Sequence, residues 1–185
     1  MPQETKRTIK WAGLAVLCAL VILAAALLIL AKRSTSTVAD ADGATTAPLM
    51  NKPLPAANLV DSSGAKLGDD ALRKGRVILV FVAPNCPPCG VESQFLRTVM
   101  ERRKDVNFYG VISFGATDTS IETADKQFPF KVYFDTQPRL AGELGLYRVP
   151  IKVFVEDGII RKSWKGASTD ESAKAEFTKW LEELK

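Results

Sequence analysis

Two cysteines separated by two prolines, Cys86-Pro87-Pro88-Cys89, follow closely on an uninterrupted apolar run from Val77 to Ala83, with Pro84-Asn85 between. No other feature constrains the chain as tightly. A continuous apolar run of this length reads as a strand covered on both faces. After the cysteines, Val91, Phe95, Leu96, Val99 and Met100 fall on one side of a helical pattern that closes with Arg102, Arg103 and Lys104. Cations at that end suit the helix dipole. Pro87 fits a first helical turn, where its missing N–H is not needed, and Pro88 removes a second donor and stiffens the turn. Two thiols are thus placed where a buried strand hands over to a helix N-terminus.

That placement is chemically informative. Unpaired N–H groups and the dipole at a helix N-terminus favour a negative charge, and the thiolate is the form of cysteine that attacks a disulfide. Cys86 is the expected exposed nucleophile, and Cys89, one turn in, the expected resolving thiol. The chain has three cysteines and no histidine. Cys18 lies in an N-terminal apolar stretch and reads as a small packing residue, so one dithiol remains for a folded domain. The absence of histidine excludes a Cys/His zinc site and a Cys/His nucleophilic pair.

Beyond the dithiol, strand and helix patterns alternate. Ala57–Val60, the turn Asp61-Ser-Ser-Gly64 and Ala65–Leu67 read as a strand, a turn and a short return. One helical turn is expected over Gly68–Lys74, with Asp69 as N-cap. A strand over Val106–Phe114, a helix over Asp118–Lys126, a short strand over Lys131–Phe134 and a helix over Pro138–Leu144 follow. Ile151–Val155 and Ile159–Trp164, joined by Asp157-Gly158, form a hairpin pattern. Ser168-x-x-Glu171 is a capping-box pattern ahead of a helix whose buried side is Ala173, Phe177, Trp180, Leu181 and Leu184. Pro84, Phe130, Tyr147 and Trp164 read as packing or turn residues first and as groove-lining residues second. The fold class is α/β, a central mixed sheet flanked by helices.

The N-terminus reads differently. Trp11–Ala31 is a run of 21 residues without a charge. As a helix it would span roughly 31 Å, the thickness of a bilayer's hydrocarbon core. It is longer than a signal-peptide core and is closed by Lys32-Arg33, so an uncleaved anchor is expected, with residues 1–10 as a cytoplasmic tail and 11–31 in the lipid bilayer. Residues 32–52, rich in Ser, Thr, Ala and Asp, read as a flexible linker, and 53–185 as the folded domain. Lys6, Arg7, Lys10 and the terminal amine favour a single-pass, N-in orientation in the cytoplasmic membrane, with the domain in the periplasm or its equivalent. The net charge of +4 belongs to these flanks: residues 1–33 hold five of the 25 bases and one of the 21 acids, so the rest carries 20 of each. No nucleic-acid partner is expected from such a balance.

From about residue 50 onward the chain resembles the membrane-tethered, TlpA/ResA-like group of the thioredoxin superfamily, which includes the cytochrome c maturation reductases. The resemblance rests on the strand leading to Cys86-Pro87-Pro88-Cys89, on Glu92, on Phe134-Asp135, and on Tyr147-Arg-Val-Pro150 before Ile151-Lys-Val-Phe154 and Asp157-Gly158. It implies a thioredoxin-like fold and a thiol–disulfide oxidoreductase. Its redox group is the Cys86–Cys89 couple itself, with no other cofactor and no metal. In that group the proline matching Pro150 is cis and packs against the dithiol, and the backbone at Val149 pairs with the substrate. Pro87 and Pro88, between the thiols, join Val149 and Pro150 as substrate-contacting residues. A glutamate at the offset of Glu92 handles protons for the thiols; the alternative for Glu92 is a first-turn acid that complements the dipole. The implied partners are a protein disulfide substrate and an upstream transmembrane thiol electron donor.

Several residues depart from relatives. Val80 stands where thioredoxins carry a buried aspartate, Asn85 precedes the first cysteine where tryptophan is usual, Gly90 replaces a frequent basic residue, and Ile151 stands where many relatives have threonine. A peroxiredoxin would need threonine at position 83, which is Ala83, and a Sco-type copper carrier would need histidine. The remaining alternatives to a redox enzyme are a Cu(I)-binding metallochaperone using both thiolates and a redox-inert interaction module.

Overall fold

The computed structural model describes residues 49–113 and 118–184. The tail 1–10, the anchor 11–31, Cys18 and the linker up to residue 48 lie outside the described residues. Among the described residues no helix is long and apolar enough to cross a membrane. Leu49 to Lys52 already belong to the fold. Asn51 N–H donates to the Ile160 carbonyl and Ile160 N–H to that of Lys52.

In chain order the elements are β1 (Leu59–Val60), α1 (Asp69–Arg73), β2 (Arg76–Phe81), α2 (Pro87–Arg102), β3 (Asn107–Ile112), α3 (Asp118–Gln127), β4 (Lys131–Asp135), α4 (Arg139–Glu143), β5 (Ile151–Glu156), β6 (Ile159–Lys165) and α5 (Glu171–Glu182). Among the described residues the six strands form one mixed sheet in the order β1-β4-β3-β2-β5-β6. β2, β3 and β4 run parallel, joined by crossover helices, while β5 and β6 run antiparallel to their neighbours and β1 pairs antiparallel with β4. This is the mixed, helix-flanked α/β sheet expected from the alternation of patterns, in the thioredoxin-like form that the resemblance implied.

The apolar run of β2 is central because both of its faces are covered. Ile78, Val80 and Val82 face a cluster built with Cys89, Leu96 and Val99 of α2 and Phe177 and Leu181 of α5. Val77, Leu79 and Phe81 face a second cluster with Leu72 of α1, Leu140 and Ala141 of α4, and Ile151, Val153 and Val155. Every residue from Val77 to Val82 is buried, so no polar alternation is possible.

Three local expectations change. Gly68, not Asp69, is the N-cap of α1, and Asp69 is its first helical residue. In α5 the N-cap is Asp170, whose carboxylate accepts from the Ala173 N–H at 2.8 Å, and not Ser168. Ser168 is buried instead, because both its N–H and its hydroxyl are engaged by a buried side chain described below. On α2, Val91 is 45% exposed rather than on the inner side. Phe130 is a core residue stacked on Phe128, and Trp164 packs against Phe177 and Trp180. Tyr147 lies 73% exposed. The hairpin turn places Asp157 and Gly158 both at positive φ (48° and 77°), the backbone of a type I′ turn.

Candidate active site

Cys86 is the N-cap of α2 and Cys89 sits one turn inside it, joined to Cys86 by a disulfide with Cα atoms 5.2 Å apart. The two sulfurs are not equivalent. Cys86 is half-buried at the surface, whereas Cys89 is fully buried in the core cluster. Pro87 and Pro88 occupy the first two helical positions and offer no N–H, so the first available donor is that of Cys89. It points at Cys86 Sγ (3.2 Å) as well as at the Cys86 carbonyl (3.0 Å). Asn85, with φ of 55°, makes the sharp turn from strand to helix. Pro87 and Pro88 are exposed beside the thiols.

The Val149–Pro150 peptide bond is cis, as the resemblance implied. Register places it near the dithiol. Phe81 at the end of β2 pairs with Ile151 at the start of β5, so the chain leaving β2 toward Cys86 and the chain entering β5 through Pro150 meet at the same end of these two interior strands. Val149 and Cys86 pack against the same apolar cluster. Pro150 is buried and Val149 half-buried.

Glu92, three residues after Cys89 and on the same side of α2, is fully buried, which a first-turn surface acid would not be. Its Oε1 lies 2.6 Å from Lys152 Nζ, with both side chains at or below 1% exposure. Its Oε2 accepts the Ser168 N–H at 2.5 Å, and the Ser168 hydroxyl donates to Oε1 at 3.4 Å. Lys152 Nζ also donates to Ser168 Oγ (3.3 Å) and to the Gly166 carbonyl (3.4 Å), and lies 5.4 Å from the centre of the Phe177 ring. Burial pushes the Lys152 ammonium below its ordinary range, and the adjacent Glu92 carboxylate opposes that shift. Asp135, at the end of β4, is buried too and accepts the Leu140 N–H at 3.0 Å; burial raises its carboxyl above the usual range.

Lys152 and Ser168 were not legible as site residues. The signal for Lys152 was its position in the run Ile151-Lys-Val-Phe154, a charge in a strand otherwise fit for burial on both faces. Its Cα partner on β2 is Val80, the position at which thioredoxins carry the buried aspartate. The ionic group of this core therefore comes from α2 and β5 instead of β2.

A disulfide couple at a strand-to-helix junction, one sulfur reachable and the other enclosed, makes this enzyme a thiol–disulfide oxidoreductase on a thioredoxin-like fold. The chain belongs to the Redoxin family, whose model matches residues 49–179. Solved structures with the same fold include a secreted Mycobacterium tuberculosis disulfide oxidoreductase homologous to DsbE of E. coli (21% identity, TM-score 0.56, covering 69% of this chain and 95% of that one). The exposed lipoprotein thioredoxin Etrx1 of Streptococcus pneumoniae (19%, 0.56, 69% and 98%) is another. StoA of Bacillus subtilis is a third (18%, 0.54, 69% and 98%). No curated protein matches the chain significantly.

Proposed function

We propose that the chain is a membrane-tethered reductase of protein disulfides that works outside the cytoplasm. Cys86 is its nucleophile, Cys89 its resolving thiol and Glu92 the acceptor of the Cys89 proton. The observation that carries this reading is the asymmetry of the disulfide: Cys86 at the helix N-terminus is reachable, and Cys89 is enclosed three residues before a buried carboxylate on the same helix.

In the forward direction the Cys86 thiolate attacks one sulfur of the substrate disulfide. A bond forms between Cys86 Sγ and that sulfur, and the other substrate sulfur leaves as a thiolate. Cys89 then gives its proton to Glu92 and attacks Cys86 Sγ, forming the Cys86–Cys89 disulfide and expelling the second substrate sulfur. The substrate gains two electrons and the dithiol loses two. The backbone at Val149, next to Pro150, pairs with the substrate chain, and Pro87, Pro88 and the exposed Tyr147 border the approach. An upstream transmembrane thiol carrier re-reduces the couple. The extracytoplasmic setting is supported by the charge-free run 11–31, by the bases ahead of it, and by relatives described as secreted or as an exposed lipoprotein. Apocytochrome c and an enzyme under maturation are the two client classes that fit.

The direction of electron flow is tested by equilibrating the purified protein with glutathione redox buffers. A reductase has a potential near or below about −200 mV, whereas a value near that of a strong oxidant, about −120 mV, would overturn the reductase reading. A C-terminal periplasmic reporter fusion tests the topology. An active periplasmic fusion agrees with it, and activity confined to a cytosolic reporter reverses it.

A further inference from the structure

We propose that Lys152 is a positioning residue for the proton that leaves Cys89: it supplies the counter-charge that keeps the Glu92 carboxylate charged and aimed inside the core. This rests on the reading of Glu92 as the proton acceptor and extends it to a residue on another strand.

The argument begins with burial. A fully enclosed carboxylate without a cation pays a desolvation cost that favours its neutral form, and a neutral carboxyl cannot accept a proton. Glu92 has no surface exposure, yet Lys152 stands 2.6 Å away and is itself 99% enclosed. The groups facing Glu92 are few among the described residues. β5 brings Lys152 and the loop before α5 brings Ser168, while Cys89 stands one turn earlier on α2, Val80 of β2 is the Cα partner of Lys152, and the Phe177 ring of α5 lies against the Lys152 ammonium. Lys152 is therefore the cation available to it. Ser168 N–H and hydroxyl fix the carboxylate's orientation, and the Gly166 carbonyl and Ser168 Oγ take further protons of the ammonium.

Chain position adds a second consequence. Lys152 is two residues after Pro150, and Glu92 three after Cys89. The ion pair thus joins the helix that carries the dithiol to the strand entered through the cis-proline. When Glu92 takes the proton of Cys89, the pair gains a net buried positive charge, an unstable state that passes the proton on to the departing substrate thiolate or to solvent and resets the site.

The test separates the two thiol steps. Reduced full-length protein carrying Cys18→Ala, whose remaining thiols are Cys86 and Cys89, releases one equivalent of chromophore from dithiobis(nitrobenzoate) when Cys86 attacks and a second when Cys89 resolves the adduct. Both phases are followed by stopped flow from pH 5 to 9. Lys152→Met is expected to leave the first phase within about twofold and to move the midpoint of the second to higher pH by about one unit or more, a slowing of about fivefold or more at the wild-type midpoint. Glu92→Gln is expected to remove that midpoint, and Glu92→Gln/Lys152→Met to reproduce the Glu92→Gln profile, because Lys152 acts only through Glu92. Lys152→Arg, which retains the cation, keeps the wild-type midpoint. A Lys152→Met profile superimposed on wild type, or a displaced midpoint in Lys152→Arg, overturns the role of Lys152 while leaving Glu92 as acceptor. A second phase unaffected by Glu92→Gln instead overturns the acceptor reading, and the role of Lys152 with it.

Discussion

At Gly110 in β3 the fold leaves room for a hydrogen and nothing larger: a Cβ there would stand 2.8 Å from the Phe130 ring and 3.1 Å from Val132. Phe130 is itself buried and stacked on Phe128, so it cannot swing away. Gly110→Ala is expected to lower stability by about 1–3 kcal/mol in denaturant unfolding, the usual cost of overpacking. A second residue-scale effect depends on pH. Asp61 accepts from the Ser63 and Ala65 N–H groups and pairs with Lys131 at 2.6 Å, which holds its carboxyl well below the usual range. Since the folded state favours the ionised form, its contribution is complete above about pH 4, the unfolded carboxylate's value, and is lost as pH falls toward the folded one. Asp61→Asn should therefore be less stable than wild type at pH 7 and show a shallower loss of stability below pH 4 in urea titrations. At this scale the Cys86–Cys89 dithiol could be read from spacing, and Glu92 was singled out by the resemblance. Lys152 could not, because its partner lies 60 residues away and only strand pairing brings the two together.

At the scale of elements, the β2–α2 junction and the β5–β6 hairpin are where local rules and tertiary demands agree. A fully apolar run, a proline at the first helical turn and an Asp-Gly turn each permit few backbones. Helix starts were less legible. Ser168-x-x-Glu171 satisfies the capping-box pattern, but Ser168 is recruited by Glu92 and Asp170 caps α5 in its place. The difference is measurable. Asp170→Ala should lower the unfolding midpoint and fray α5, seen as faster amide exchange at Ala173, whereas Ser168→Ala should leave that amide protected. Val91 was misplaced for a related reason. The inner side of the first two turns of α2 is taken by Cys89, Glu92 and Ser93, and an apolar count alone gives no hint that an acidic residue will be buried there.

For the whole molecule, the sheet order β1-β4-β3-β2-β5-β6 was not readable from local patterns, since it depends on which strand each crossover helix returns to. What periodicity did reveal was that β2 must be covered twice, and the two apolar clusters on its faces follow from that. Beside the first of these clusters, the Glu92–Lys152 pair crosses from α2 to β5 and is tied to the loop before α5. Removing one partner strands a buried charge. Glu92→Gln and Lys152→Met should each cost about 3–5 kcal/mol in denaturant unfolding, and the double variant less than the sum of the two. The central claim concerns unequal sulfurs, and it is tested most directly by incubating the reduced Cys89→Ala protein with a disulfide-containing protein and analysing the adduct by mass spectrometry. The expected result is one stable mixed disulfide per chain on Cys86, with none formed by Cys86→Ala. No adduct in Cys89→Ala, or an equally rapid one on Cys89 in Cys86→Ala, would contradict the account.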